Sequence, residues 1–316
     1  MSLPSLAALQ ATGIPLVICA RAWAQNLLKG VPKQDFLAMS GKVLADRALV
    51  KAHRRAAGSE ARSARGLLLP DSLSSAAVFR LAGLPSAGYR DDGRSLLLRW
   101  PFNKPEMALH AVESWYYLTR KALKQWGLPA DKPAPSAQLN LPLTPAHKAA
   151  AKVVLATGEL TDKPFVLIAP TATGLHKGRV KVWPGFDALT RTLQAQGRTV
   201  VMCPPKAETP QALHNAPSAR LLPPLSLGAF AALTAQAALV VCNDSGVSHV
   251  AAAASARQLT LFGVTNPQRT GPWSPLANCL GSETAWPSEQ QVENAALALL
   301  DQAPPATEAL TLAKSC

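Results

Sequence analysis

Residues Val240–Ala254 read VVCNDSGVSHVAAAA. An apolar run stops at a knot of small polar residues, and an alanine-rich run starts at once. A strand, a turn and a helix account for that order. The run has no polar alternation, as in a parallel strand covered on both faces. Asp244 or Ser245 suits the cap of a helix that begins near Gly246. The small residues Ala251–Ala254 let that helix pack closely on a sheet. A helix N-terminus presents free N–H groups and partial positive charge, and glycine lets a ligand approach the backbone. The stretch therefore predicts an anion site suited to a diphosphate, with His249 in the first helical turn either facing the anion or standing behind it.

The same unit recurs along the chain. Strands are predicted at Pro15–Cys19, Gly66–Leu69, Phe165–Ala169, Thr199–Cys203, Ala238–Cys242 and Gln258–Phe262. Helices are predicted at His147–Gly158, Gly185–Gln196, Leu227–Gln236 and Gly246–Ala256. Strand, loop, helix and strand at this spacing predict an α/β class of doubly wound domains. The proline-rich segment Asp131–Pro145 reads as a linker, so domains are expected at residues 1–140 and 161–316, with a linker and connecting helix at 141–160. In an open parallel sheet, ligands bind beyond the carboxyl ends of the strands. The loops after Phe165–Ala169 (Pro170–Pro184), after Thr199–Cys203 (Pro204–Glu208) and after Ala238–Cys242 (Asn243–Gly246) are therefore expected at one crevice.

Composition narrows the function. Hydrophobic residues make up 48% of the 316 residues, a globular rather than a disordered balance. The net charge of +13 is uneven: residues 1–150 hold 20 Lys/Arg against 9 Asp/Glu, whereas residues 151–316 hold 12 against 10. The basic half attracts phosphate, on nucleic acid, an anionic lipid surface or a glycolipid. No Lys/Arg run alternates with exposed aromatics, so a nucleic-acid groove is not expected. The five cysteines (Cys19, Cys203, Cys242, Cys279, Cys316) form no C-x-x-C pair and read as buried or incidental thiols. The opening residues lack a basic n-region, and Pro4, Gly13 and Pro15 interrupt them, so no signal peptide is expected. Gly228–Cys242 is too short for a span of about 20 residues. The sequence reads as that of a soluble protein.

Several motifs together resemble one family. Asn243-Asp-Ser-Gly-Val-Ser-His-Val-Ala-Ala252 and Leu261-Phe-Gly-Val-Thr-Asn-Pro-Gln-Arg-Thr-Gly-Pro272 are similar to the signature of the bacterial heptosyltransferases of glycosyltransferase family nine. Lys181-Val-Trp-Pro184 resembles their K-x-W-P segment. Gly66–Ala76, Leu81–Pro85 and Gly88–Arg90 resemble their acceptor domain. The set spans nearly the whole chain and is nearest to the lipopolysaccharide heptosyltransferase II type.

The resemblance implies a GT-B architecture of two Rossmann-like domains facing across a cleft. It implies an inverting glycosyltransferase that moves heptose from ADP-heptose, held by the second domain, to the lipopolysaccharide inner core, held by the first. The enzyme would be cytoplasmic and peripheral to the anionic inner membrane, with no nucleic-acid partner. Thr171 and Thr173 match hydroxyls that line the donor phosphates, and Glu208 falls where an acid meets the ribose. Asp244 would contact the donor sugar or its phosphates, Ser245 and Gly246 the diphosphate, and Lys181 the charge that develops on the leaving group. His249 would face the phosphates or support them. Ser72, Ser74, Ser75 and Arg90 are candidates for acceptor contact, with His110 and Glu113 behind them. The pattern requires no metal and no cofactor.

Taken singly, each of these residues has an ordinary reading as a cap, a surface lysine or a solvated acid; the combination on consecutive strand ends carries the inference. One departure stands out. The family's presumed general base is an Asp in a Gly-Asp loop that would fall upstream of Met1, as would the first strand. The resemblance therefore implies either an earlier start or a truncated, inactive form. Asp46 and Asp71 are substitutes to consider, although Asp71 reads as a helix cap. A relative that binds nucleotide sugar or anionic glycolipid without transfer is the alternative. A nucleotide-sugar epimerase is disfavoured by the N-D-S-G-x-x-H and K-x-W-P pair.

Overall fold

A computed structural model describes residues 1–130 and 132–302; Asp131 and Cys316 lie outside them. The chain forms two compact units. The first comprises residues 1–144 with 226–228 and 268–273, and the second comprises the remainder.

In the first unit, helix α1 (Leu3–Gln10) precedes β1 (Val17–Arg21), α2 (Trp23–Leu27), β2 (Asp35–Met39) and α3 (Val43–Ala56). Then come β3 (Gly66–Leu67), α4 (Leu73–Leu81), β4 (Ser86–Tyr89), β5 (Trp100–Phe102) and α5 (Ala111–Gln125). All strand pairs are parallel, in two pieces: β1–β2, and β3–β4–β5. One core cluster joins both pieces, with Leu37 from β2 and Leu68 after β3 packed on Val50 of α3 and Phe79 of α4. Each such buried side chain contributes about 1.5–3 kcal/mol.

The second unit opens with α6 (Pro145–Thr157), then β6 (Phe165–Ala169), β7 (Leu175–His176), β8 (Arg179–Val180) and α7 (Phe186–Ala195). Next come β9 (Thr199–Met202), α8 (Thr209–Asn215), β10 (Arg220–Leu221), α9 (Leu227–Thr234) and β11 (Leu239–Asn243). The order ends with α10 (Gly246–Ala253), β12 (Gln258–Phe262), α11 (Pro267–Thr270), β13 (Ala277–Gly281) and α12 (Glu289–Asp301). Six strands form one parallel sheet in the order β10-β9-β6-β11-β12-β13. Every residue of β6, β11 and β12 is buried, as their unbroken apolar sequences predict. Burial pushes the Cys242 thiol up to about 12, so it stays protonated at neutral pH.

The winding reverses between β6 and β11: β9 and β10 extend one way, and β11 to β13 the other. Register aligns the carboxyl ends there, with Ala169 opposite Cys242, Ile168 opposite Met202 and Asn243 opposite Leu261. A reversal of this kind opens a crevice at the strand ends.

Two expectations need correction. Residues 170–184 are not a plain loop: they contain the antiparallel hairpin β7–β8, turned by Lys177 and Gly178, both at positive φ. That pair of angles suits a two-residue hairpin turn. And Asp71 does not cap α4. Ser72 does, accepting from the Ser75 N–H, while the Asp71 carboxylate turns to Arg94 and Lys104.

Among the described residues, no helix is long and apolar enough to cross a membrane.

Candidate functional site

The crevice of the second unit is built around two buried side chains. Trp183 is 2% exposed. Its indole N–H donates to the Pro287 carbonyl at 2.9 Å, and its ring meets Phe186 edge-on at 5.4 Å. A side chain on Gly185 would run into that ring, so glycine is needed where α7 begins. Asn243, fully buried at the end of β11, accepts from the Trp183 backbone N–H at 2.9 Å and donates to the carbonyls of Ala169 (3.3 Å) and Thr171 (3.4 Å). One amide thus ties together the ends of β6 and β11 and the segment carrying Lys181.

Lys181 precedes that anchor by two residues. Its ammonium lies 3.8 Å from the Asp244 carboxylate, and the same carboxylate oxygen accepts from the Thr265 hydroxyl at 2.6 Å. Both charged side chains are mostly buried, at 22% and 10% exposure. Attraction between them is therefore less screened than at a surface.

Asp244 leads directly into α10. Ser245, in extended conformation, is its cap and accepts from the Val247 N–H at 3.3 Å. Gly246 is exposed, and a Cβ placed there would meet nothing within 4 Å. The positive end of α10 therefore opens onto free space beside the Lys181–Asp244 pair. His249 is half-buried in the first turn of the same helix.

Thr171 and Glu208 come together from neighbouring strands. The Thr171 hydroxyl, after β6, donates to Glu208 beyond β9 at 2.5 Å. Thr173 is exposed at the base of the hairpin. The hairpin itself is fixed by Arg179, whose guanidinium donates to the carbonyls of Gly263 (2.7 Å) and Glu283 (3.0 Å).

The candidates of the first unit gather at the carboxyl ends of β3, β4 and β5. The Ser72 hydroxyl lies 2.7 Å from that of Ser74 and accepts from the Ser75 N–H, so these serines form a helix cap. Arg90 is exposed and donates to the Asn103 side chain at 3.3 Å. Beside them, fully buried Arg94 donates to the Asp71 carboxylate and to the carbonyls of Pro70 and Asp91. Lys104 bridges the carboxylates of Asp71 and Asp91. Arg94, Asp91 and Lys104 had no motif to mark them in the sequence: the first two lie in the β4–β5 connection and Lys104 follows β5. Thr265 and Asn243 were not singled out either, since their roles depend on strand register.

Two further candidates have local partners. His110 and Glu113 form a reciprocal cap on α5, and the far nitrogen of His110 meets the Gly271 carbonyl at 2.9 Å. Asp46 is buried and accepts from the N–H and hydroxyl of Ser40 and from the Gly41 N–H. Burial raises its pKa, but those hydrogen bonds, with Arg21 nearby, hold it below the ordinary value.

Lys181, Asp244 and the open N-terminus of α10 thus stand together at the switch point of a doubly wound unit, where folds of this class bind ligands. The sequence matches the model of glycosyltransferase family 9 (heptosyltransferase) over residues 55–299, and the chain belongs to that family. It is 28% identical to lipooligosaccharide heptosyltransferase 2 of Haemophilus influenzae over 229 residues, covering 68% of this chain and 64% of that protein's length. The fold is similar to that of the ADP-heptose LPS heptosyltransferase II of E. coli, with TM-score 0.73, 25% identity and coverage of 95% and 94% of the two chains. It is also similar to E. coli heptosyltransferase WaaC with ADP, with TM-score 0.71, 20% identity and coverage of 94% and 95%. These are structures of the GT-B class that the resemblance implied.

Proposed function

We propose that the protein is an inverting glycosyltransferase that moves heptose from ADP-heptose to the lipopolysaccharide inner core. The observation that carries this reading is the Lys181–Asp244 pair, 3.8 Å apart beside the open N-terminus of α10. The relatives whose names include heptosyltransferase, one of them with ADP, support the choice of donor.

In this reading the acceptor hydroxyl oxygen bonds to the anomeric carbon of heptose, and the bond from that carbon to the β-phosphate oxygen breaks. The electron pair leaves with ADP, and the hydroxyl proton passes to a general base. Charge grows on the departing diphosphate, where Lys181 and the N–H groups of α10 stabilise it. Asp244 holds the ammonium in place and offers an acceptor for sugar hydroxyls. Glu208, oriented by Thr171, would receive the ribose hydroxyls, with Ser245, Gly246 and Thr173 at the phosphates and His249 behind them. In the first unit, Ser72, Ser74, Ser75 and Arg90 would meet the acceptor, whose lipid anchor brings the protein to the anionic inner-membrane surface on the cytoplasmic side.

The test incubates the protein with ADP-heptose and inner-core glycolipid. Release of ADP together with a one-heptose gain in glycolipid mass, with inverted anomeric configuration, is the expected result. Tight binding of ADP-heptose with no transfer would replace this reading with that of a non-transferring binder.

A further inference from the structure

Helix α3 presents its apolar side outward. Leu44, Ala45, Ala48, Leu49, Ala52 and Ala56 are all exposed, Leu44 to 73%, whereas Asp46 and Val50 face the interior. On a helical period these six residues span about 140°, with Arg55 the one charged residue among them, near the edge set by Leu44. An ordinary surface helix shows the reverse, with charge outward and apolar residues inward.

Cations rim the stripe. Arg47 and Arg54 flank it toward α4, where they donate to the carbonyls of Leu81 and Ala82. Lys51 lies along the same margin, Arg55 just inside it, and Lys42 closes the other. Among the described residues, neither Lys51 nor Arg55 is ion-paired. The one carboxylate of α3, Asp46, is turned inward, and Asp35 is paired with His53 at 3.0 Å. Beyond Arg47, the side chain of Leu81 is itself 52% exposed.

We infer that this face of α3 docks onto the surface of an anionic phospholipid bilayer. The apolar stripe enters the boundary between headgroups and acyl chains, and the long basic side chains reach back to the phosphates. Charge complementarity selects this occupant. A second copy of the chain placed symmetrically on the same face would set two cationic rims against each other, and its apolar stripe would gain no counter-charge. The inference deepens the proposed contact with the inner membrane by naming its surface, and it rests on that reading only for the choice of membrane.

Flotation with vesicles tests it. Binding is expected to vesicles of phosphatidylcholine mixed with phosphatidylglycerol but not to phosphatidylcholine alone, with loss as salt is raised. The double variants Leu44→Ser/Leu49→Ser and Lys51→Gln/Arg55→Gln are each expected to lower partitioning about tenfold or more. Leu44, Leu49 and Arg55 are exposed and Lys51 is half-buried, with none in the core, so the melting temperature should stay near the wild-type value, and transfer to a delipidated soluble acceptor should be unaffected. Wild-type partitioning in both variants would overturn the inference, as would a failure of the wild type to bind mixed vesicles. A solution dimer that the leucine substitutions dissolve would overturn it too. Failure of transfer with vesicle binding intact would instead sink the catalytic reading alone.

Discussion

Asn243 makes three hydrogen bonds with one carboxamide and has no access to water. Replacing it with Ala leaves the Trp183 N–H and two carbonyls unpaired, so Asn243→Ala should destabilise the protein by about 2–4 kcal/mol. Urea unfolding measures this, and a loss within error of zero would show that the strand ends do not need the amide. Asn243→Asp keeps the acceptor for Trp183 but sets a carboxylate oxygen against two carbonyls, and should be no better tolerated. Lys181 answers to a different measurement. In the proposed reaction its ammonium acts on charge that develops on the leaving group, so Lys181→Ala should lower kcat about 10²–10³-fold, more than it raises the donor KM. Lys181→Arg should keep part of the rate. A change confined to KM would assign Lys181 to ground-state binding. Lys181 and Asp244 were legible in the sequence because each stands beside a recognisable segment. Thr265 was not: its contact with Asp244 exists only because β11 and β12 pair with Asn243 opposite Leu261.

At the scale of elements, α10 depends on its cap. Ser245→Ala should cost about 1 kcal/mol of stability in thermal unfolding and weaken the diphosphate site, whereas Ser245→Gly should cost only a few tenths. Equal effects of the two would mean that the hydroxyl serves the ligand rather than the helix. Helix α5 is capped by a group that titrates. Burial lowers the His110 pKa, against the opposing influence of the Gly271 carbonyl and Glu113. A histidine kept neutral in the fold binds its proton later than the unfolded chain does. Stability is therefore constant above the ordinary value of about 6.5 and falls as pH drops below it. His110→Asn, which keeps a capping oxygen and loses the titration, should flatten that part of the pH–stability curve. An unchanged slope would place the pH dependence elsewhere. Elements of the second unit were readable because β6, β11 and β12 are continuous apolar runs. Those of the first were harder. Ser86–Tyr89 opens with three small residues and Trp100–Phe102 contains Pro101, whereas the strand expected at Gly66–Leu69 is present but only two residues long, Gly66–Leu67. Such strands form because the surrounding core holds them, which no local pattern records. The β7–β8 hairpin was missed for a related reason: its Lys-Gly turn sits between segments too short to show alternation.

For the whole molecule, the division of labour follows charge and topology. The first unit carries the basic excess and the exposed stripe of α3, and the second carries Lys181, Asp244 and the N-terminus of α10 at its switch point. The central claim is that the second unit holds the diphosphate of a nucleotide sugar between Lys181 and α10. Amide hydrogen exchange with and without ADP tests it most directly, since a bound ligand stabilises the structure that contacts it. The account predicts slower exchange concentrated in residues 170–184, 204–208 and 243–249, and loss of that protection in Lys181→Ala. Protection confined to residues 1–144, or the same protection in the wild type and in Lys181→Ala, would contradict it.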